Sequence, residues 1–191
     1  DHLQIRSVYK VHNTVTLNQR INSLFGKILM GCEYFIYKTG PLTMPPSQLG
    51  AFAKSDETQT SPNMEWHVQP LSLDKFGEPL HSFNAITPAV CNLRPTSRGH
   101  VRIKSNDSRD YPSITMNYLS TSEDEKIAIS GLKFTRRMIE HFKRERGDQF
   151  TVFVLDSFVM SNPSIDIERR RVLASNNIEV LKIQLSNIQQ S

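Results

Sequence analysis

The sequence has few of the residues that build cofactor turns and metal sites. Only two of its 191 residues are cysteines, Cys32 and Cys91, so neither a disulfide framework nor a zinc-finger spacing is present. The eight glycines never form G-x-G-x-x-G, the turn that places a pyrophosphate at a helix start. A phosphate loop, a G-x-S-x-G elbow and an H-E-x-x-H zinc motif are also missing. These absences exclude the common sequence-marked sites for nucleotides, zinc and serine nucleophiles within this stretch.

Long apolar runs and a leader are missing as well. No run approaches the length of a membrane-spanning helix. The first residue is aspartate, and no basic and then apolar leader precedes the first predicted strand. We therefore expect a piece of a longer protein or a processed product. A hydrophobic content of 38% with 22% charged residues is typical of a globular domain.

The positive charge is small and clustered. The net charge is +4, and the basic residues concentrate at 136–137, 143–146 and 169–171. Solvated helix faces explain such clusters best, and the alternative is a patch for nucleic acid or an anionic membrane. No aromatic residues interleave with these clusters, as a base-stacking surface would require. We therefore predict no nucleic-acid partner.

The most informative stretch reads as strand, corner and strand. Ala89, Cys91 and Leu93 alternate with polar or opposite-facing residues, and Val101 and Ile103 do so further along. Alternation with period two predicts half-buried strands. Pro95 cannot donate to a ladder and Gly99 tolerates unusual backbone angles, so the corner is predicted between them.

Further strands and helices surround this stretch. Alternation predicts strands at 5–11, 49–54 and 64–69, and helical spacing predicts helices at 17–31 and 123–142. The segment 72–84 is predicted as a loop. Residues 151–160 resemble a buried strand, and 165–188 a helix. This order predicts an α+β fold in which helices pack on one face of an antiparallel sheet.

Two motifs around the corner resemble those of the glucose–methanol–choline (GMC) family of flavin oxidoreductases. Residues 94–107 read R-P-x-S-R-G-x-V-x-I-x-S-x-D, and 112–119 read P-x-I-x-x-N-Y-L before an acidic residue and a helix. The choline dehydrogenase-like branch fits best. The resemblance covers roughly residues 1–139, with further matches at 1–4, 39–42, 50–52 and 67–71.

The resemblance implies the cofactor and the domain boundaries. Family members bind flavin adenine dinucleotide (FAD), and this chain would follow an N-terminal FAD-binding domain. Residues 1–146 would be part of the substrate-binding domain, and 147–191 a divergent tail. The family's histidine motif H-x-x-G-T is missing, and 154–161 match its D-A-S-x-M-P motif only faintly. No catalytic residue is therefore assigned, and we predict that this segment alone is inactive. The resemblance also suggests mitochondria, although no targeting segment is present to read.

Polar residues on the predicted strands are the candidate substrate-binding residues. Glu65, His67 and Gln69 share one strand face, and Asn92 and Arg94 form a similar pair. Without the resemblance, the first set is an ordinary solvent face and the pair makes strand-end hydrogen bonds. With it, the first set becomes a candidate cavity wall, where histidine holds an alcohol and a carboxylate attracts a cationic head group.

The aromatic residues near these strands have a simpler interpretation. Trp66 and Phe52 are predicted to lie in the core rather than in an aromatic cage around a ligand.

The function implied is a part of an FAD-dependent oxidoreductase acting on the CH–OH group of alcohols, choline dehydrogenase-like or glucose dehydrogenase-like. The segment would contribute the substrate-side wall of the active site, and the partner would be a small-molecule alcohol. The alternative is a non-catalytic interaction module, or a remnant that lacks the flavin domain. The neighbouring coding sequence distinguishes the two hypotheses.

Overall fold

A mainly antiparallel sheet organises the protein. The computed structural model describes residues 3–74, 77–146 and 153–155. Six strands form the main sheet, namely β1 (Gln4–Arg6), β2 (Val8–Lys10), β3 (Leu49–Ala53), β4 (Met64–Gln69), β5 (Ala85–Asn92) and β8 (Phe153–Leu155). Their order is β3-β4-β5-β2-β8, and β1 also pairs with β5. Every recorded pairing is antiparallel.

β1 and β2 are one extended segment that is interrupted at a single position. Ile5 pairs with Val90 and Tyr9 with Ile86, so one register runs through both strands and sets Ser7 opposite Pro88. The Ser7 amide donates to the Pro88 carbonyl at 3.0 Å. Proline has no amide to return the bond. The strand predicted at 5–11 is thus present, but it is interrupted at Ser7, because Pro88 on the opposite strand cannot donate a ladder hydrogen bond.

Helix α3 (Ser122–Arg146) covers one face of the sheet. Met64, Trp66 and Val90 on the sheet pack against Ile127 and Leu132 on the helix. Gly131 allows this approach, because a Cβ there would lie 3.0 Å from a Val90 methyl carbon. The predicted arrangement of an antiparallel sheet with helical cover on one face is therefore confirmed.

The first helical region differs from the prediction. α1 (Leu17–Asn22) ends at Ser23, whose side chain caps α2 (Leu24–Tyr37) by accepting from the Gly26 amide. The predicted stop at Gly31 is wrong, because α2 continues through it. The helix ends at Lys38, which adopts a left-handed conformation with φ of 54° and donates its amide to the Tyr34 carbonyl.

The strand after the corner also differs from the prediction. β6 (His100–Arg102) pairs only with β7 (Ser113–Thr115) in a separate two-stranded ribbon within the described residues. Val101 and Ile103 are 67% and 89% exposed, so the predicted half-buried strand is wrong. Alternation shows on which face of a strand each side chain lies. Whether that face is buried depends on whether another helix or sheet packs against it.

Gly99 is needed for a different reason from the one predicted. Its φ lies outside the left-handed region, and a Cβ there would come within 2.1 Å of the Thr115 carbonyl oxygen. Close backbone approach, rather than an unusual backbone angle, therefore favours glycine at this corner.

The later part of the chain joins the sheet through a single described strand. β8 pairs antiparallel with β2, with Val8 opposite Leu155 and Lys10 opposite Phe153. It lies within the strand predicted at 151–160. The helix predicted at 165–188 lies outside the described residues. Within the described segments, no helix combines the length and apolarity needed to cross a membrane.

Candidate functional site

The sheet face opposite α3 brings together side chains that are distant in sequence. Glu65 and His67 share this face of β4, as the alternation predicts, and Cys91 of β5 lies directly opposite Glu65 in the register. His67 Nε2 lies 3.3 Å from Glu65 Oε1. The Cys91 thiol donates to Glu65 Oε2 at 3.9 Å. A carboxylate, an imidazole and a thiol therefore form one cluster, named here the β4–β5 cluster.

The Cys91 thiol stays protonated in this cluster. Burial raises the pKa of Cys91 to about 11, and the negative charge and hydrogen bond of Glu65 act in the same direction. A thiol with a raised pKa is a weak nucleophile at neutral pH. The cluster therefore does not resemble a thiolate catalytic site.

Phe52 and Gly50 of β3 flank the β4–β5 cluster. Phe52 is opposite Glu65 in the register, and Gly50 is opposite His67. Because paired residues share a sheet face, Phe52 and Glu65 project from the same side of the sheet as register neighbours. Phe52 is 62% exposed, so its predicted core position is wrong, whereas Trp66 is fully buried as predicted. Glycine at position 50 leaves the imidazole uncovered on that side.

Gln69 lies on the same face but in a more enclosed place. It is 8% exposed, and its Nε2 donates to Ser47 Oγ at 3.3 Å. Among the residues that the structure describes, no donor reaches its buried Oε1. Gln69 thus shares the predicted face with Glu65 and His67. Its side chain is buried, whereas theirs are partly exposed.

Asn92 and Arg94 are not brought to the β4–β5 cluster. Asn92 pairs with Met64, on the α3 side of the sheet, and donates from Nδ2 to Asp124 Oδ1 at 3.2 Å. Arg94 donates from its guanidinium to the Ser61 hydroxyl at 2.8 Å and to the Ser61 carbonyl at 3.2 Å. These contacts are strand-end hydrogen bonds. A substrate role for the pair stays a prediction.

A cavity of about 400 Å³ lies on the α3 side, away from Glu65 and His67. Its floor is apolar, with Ile5, Met64 and Val90 among the lining residues, and Asp124 is the acidic group that lines it. The Asp124 carboxylate accepts bonds from the Thr96 and Ser97 amides, each at 2.9 Å. Burial acts to raise the pKa of Asp124, but hydrogen bonds from Ser97 and Thr96 outweigh it and the pKa is lowered. Both oxygens of this carboxylate therefore accept hydrogen bonds that hold the corner against α3.

A third polar cluster, centred on His81, lies outside both the β4–β5 cluster and the cavity. None of the sequence motifs pointed to it. His81 Nδ1 lies 2.9 Å from Ser72 Oγ, and its Nε2 lies 3.2 Å from Asp74 Oδ1. The Ser72 hydroxyl also accepts from Asn18 Nδ2 at 3.1 Å, and Ser72 is fully buried. A buried hydroxyl cannot reach a substrate, so this cluster anchors the loop to α1.

Sequence comparisons agree with the motifs around the corner. The GMC oxidoreductase family model matches residues 95–175. An alcohol dehydrogenase [acceptor] from Pseudomonas putida is 34% identical over 152 residues, which cover 76% of this chain and 27% of that protein. This chain is similar to GMC oxidoreductases. An oxygen-dependent choline dehydrogenase from Citrobacter koseri is 30% identical over 139 residues, 73% of this chain and 25% of the relative.

Two solved oxidase structures share the fold. A formate oxidase superposes with a TM-score of 0.67 over 91% of this chain and 34% of its own, at 17% identity. Pyridoxine 4-oxidase from Mesorbium loti gives a TM-score of 0.54 over 91% of this chain and 28% of its own, at 16% identity. The chain spans about a quarter of the length of the curated relatives it matches.

Proposed function

We propose that this chain is the substrate-side part of an FAD-dependent GMC oxidoreductase that acts on the CH–OH group of alcohols. The named relatives, an alcohol dehydrogenase and a choline dehydrogenase, support this class of reaction. The observation that carries the proposal is the half-exposed pair of Glu65 and His67 on the sheet face that α3 leaves uncovered. Polar groups converging on an open sheet face are suited to orienting a small polar substrate.

The residues described here do not fit the dinucleotide part of the cofactor. FAD accepts a hydride from an alcohol when it is bound in such enzymes. Its pyrophosphate needs a glycine-rich turn at a helix start, and this sequence contains none. We therefore place FAD binding in an N-terminal domain outside this chain and derive no step through the flavin from these residues.

The chemistry proposed for the chain's own residues is binding and orientation. A ring nitrogen of His67 would accept a hydrogen bond from the alcohol hydroxyl, and Glu65 would set a negative charge beside it. Phe52 is the register neighbour of Glu65 on β3, and its aromatic ring is largely exposed. A carboxylate with an aromatic ring suits a cationic head group, so we favour cationic alcohols such as choline as substrates.

The extent of the domain is part of the same proposal. The boundary at residue 146 stays a prediction. Two observations favour a later boundary, because β8 pairs with β2 and the family match continues to Ser175. We propose that at least residues 153–155 belong to the same sheet domain as residues 3–146.

The test is a kinetic comparison in the full-length enzyme. His67→Ala should lower kcat/KM about tenfold, because one substrate hydrogen bond is lost, with little change in thermal stability. His141→Ala is the matched control, since His141 is exposed on α3, and it should leave the kinetics unchanged. Glu65→Gln should raise KM for choline more than for an uncharged alcohol of similar size.

Two outcomes would contradict the proposal. Unchanged kinetics in His67→Ala would remove this face from the substrate cavity. A full-length reading frame without a flavin domain would favour a non-catalytic interaction module instead.

A further inference from the structure

We propose that Glu65, His67 and Cys91 form a binding site for a zinc ion on the open face of the sheet. The proposal does not rest on the oxidoreductase function. It competes with the substrate role proposed above, because a metal ion on His67 and Glu65 would leave neither side chain free to hold an alcohol or a cationic head group. The ligand atoms of the three side chains all lie within 4.8 Å of one another. They come from two neighbouring strands, so the sheet register holds them together without a loop.

The separations are close to those that a tetrahedral zinc ion imposes. Zinc lies about 2.0–2.3 Å from nitrogen, oxygen and sulfur ligands, which sets neighbouring ligand atoms about 3.3–3.7 Å apart. The His67 nitrogen lies 3.3 Å from one Glu65 oxygen, and the Cys91 sulfur lies 3.9 Å from the other. Binding one ion would require side-chain rotations that shorten the remaining separation, between the His67 nitrogen and the Cys91 sulfur, which is at most 4.8 Å.

The ligand types select the metal. A thiolate and an imidazole favour zinc over magnesium or calcium, which prefer oxygen ligands. Three protein ligands leave a fourth position for water. On binding, the Cys91 thiol loses its proton to solvent and becomes the thiolate ligand. The metal ion then takes the place of the thiol hydrogen, which in the metal-free chain is hydrogen-bonded to Glu65.

The surroundings of the β4–β5 cluster permit a cation. Gly50 lies opposite His67 and adds no side chain over the imidazole. Arg6 lies on the same face, opposite Ala89, and its positive charge has the Asp74 carboxylate as an electrostatic partner. His67 and Glu65 are each partly exposed, so an ion can reach them from solvent.

Cobalt is the probe for the test, because thiolate coordination gives Co²⁺ a charge-transfer band in the near ultraviolet. The experiment uses the 191-residue chain with Cys32→Ser, which removes the other, exposed thiol. One equivalent of Co²⁺ should saturate the band, and Zn²⁺ should displace it. His67→Ala and Glu65→Gln should each weaken Co²⁺ binding at least tenfold, because each removes a ligand.

The controls separate metal binding from misfolding and from the oxidoreductase function. His141→Ala should bind Co²⁺ as the Cys32→Ser chain does, and circular dichroism should show that each variant keeps the sheet. The measurement involves neither flavin nor alcohol, so its result is independent of the kinetics of the full-length enzyme. No thiolate band at millimolar Co²⁺, or equal affinity in His67→Ala, would overturn the site and leave Glu65 and His67 as neighbouring polar side chains without a metal.

Discussion

The indole Nε1 of Trp66 donates a hydrogen bond of 2.8 Å to the hydroxyl of Thr135, inside the layer between β4 and α3. The two residues are 69 positions apart in the sequence, and both are buried. Thr135 in turn donates to the Gly131 carbonyl at 2.8 Å, one turn earlier in the helix. The Trp66–Thr135 bond fixes the position of α3 along its axis relative to β4.

Removing this bond should destabilise the fold measurably. Thr135→Val keeps the shape but leaves the buried indole donor without its acceptor, at a cost of about 1–3 kcal/mol. Trp66 is the only tryptophan, so its fluorescence during urea unfolding reports the change directly. Thr135→Ser keeps the hydroxyl and is the control. Equal midpoints for Thr135→Val and the unsubstituted chain would show that the bond adds no net stability.

The Asp124 carboxylate should make stability depend on acid pH. Its pKa is lowered in the folded state, because hydrogen bonds from Ser97 and Thr96 outweigh the effect of burial. Its contribution is therefore present above the unfolded value of about 3.9 and is lost as pH falls through the folded pKa.

Asp124→Asn should lower the free energy of unfolding at pH 7 by about 1–2 kcal/mol, since an amide cannot accept all of these bonds. The difference between the two chains should shrink below pH 4. Urea titrations at several pH values measure it. A constant difference from pH 7 to pH 3 would contradict the assigned carboxylate role.

Substitution of Gly99 should disrupt the β6–β7 ribbon. In Gly99→Ala the added carbon meets the Thr115 and Met116 carbonyl oxygens at 2.1 and 2.6 Å, so the backbone must move. Amide hydrogen exchange at Val101 and Ile114 should become faster. Gly31→Ala is the control, because nothing lies within 4 Å of its added carbon and alanine favours the helix. Unchanged exchange in Gly99→Ala would show that the corner tolerates a side chain.

The 191-residue chain by itself should neither bind FAD nor oxidise an alcohol. Hydride transfer needs a flavin fixed close to the carbinol hydrogen and a base on the hydroxyl. The sequence contains no glycine-rich turn for the pyrophosphate and no H-x-x-G-T motif for the base. Flavin fluorescence titration and dye reduction with choline test this. Tight saturable binding, or turnover above a buffer blank, would show that other residues hold the cofactor.

Local patterns in the sequence determined the strands and the faces of their side chains. The alternation from Met64 to Gln69 predicts β4 with its observed bounds, and it sets Glu65 and His67 on one side. The similarity to GMC oxidoreductases was also determined at this level, because the motif at 94–107 is a local arrangement of residues. Such features follow from backbone geometry, in which successive strand residues point to opposite faces.

The tertiary structure alone decided what stands beside these residues. The pairing of β4 with β5 sets Cys91 against Glu65, and the pairing of β3 with β4 sets Phe52 there instead of in the core. Register and layer contacts join residues far apart in the sequence, so a one-position shift in pairing would bring different side chains together. The exposure of Val101 has the same cause, because alternation cannot say whether a second layer covers a strand.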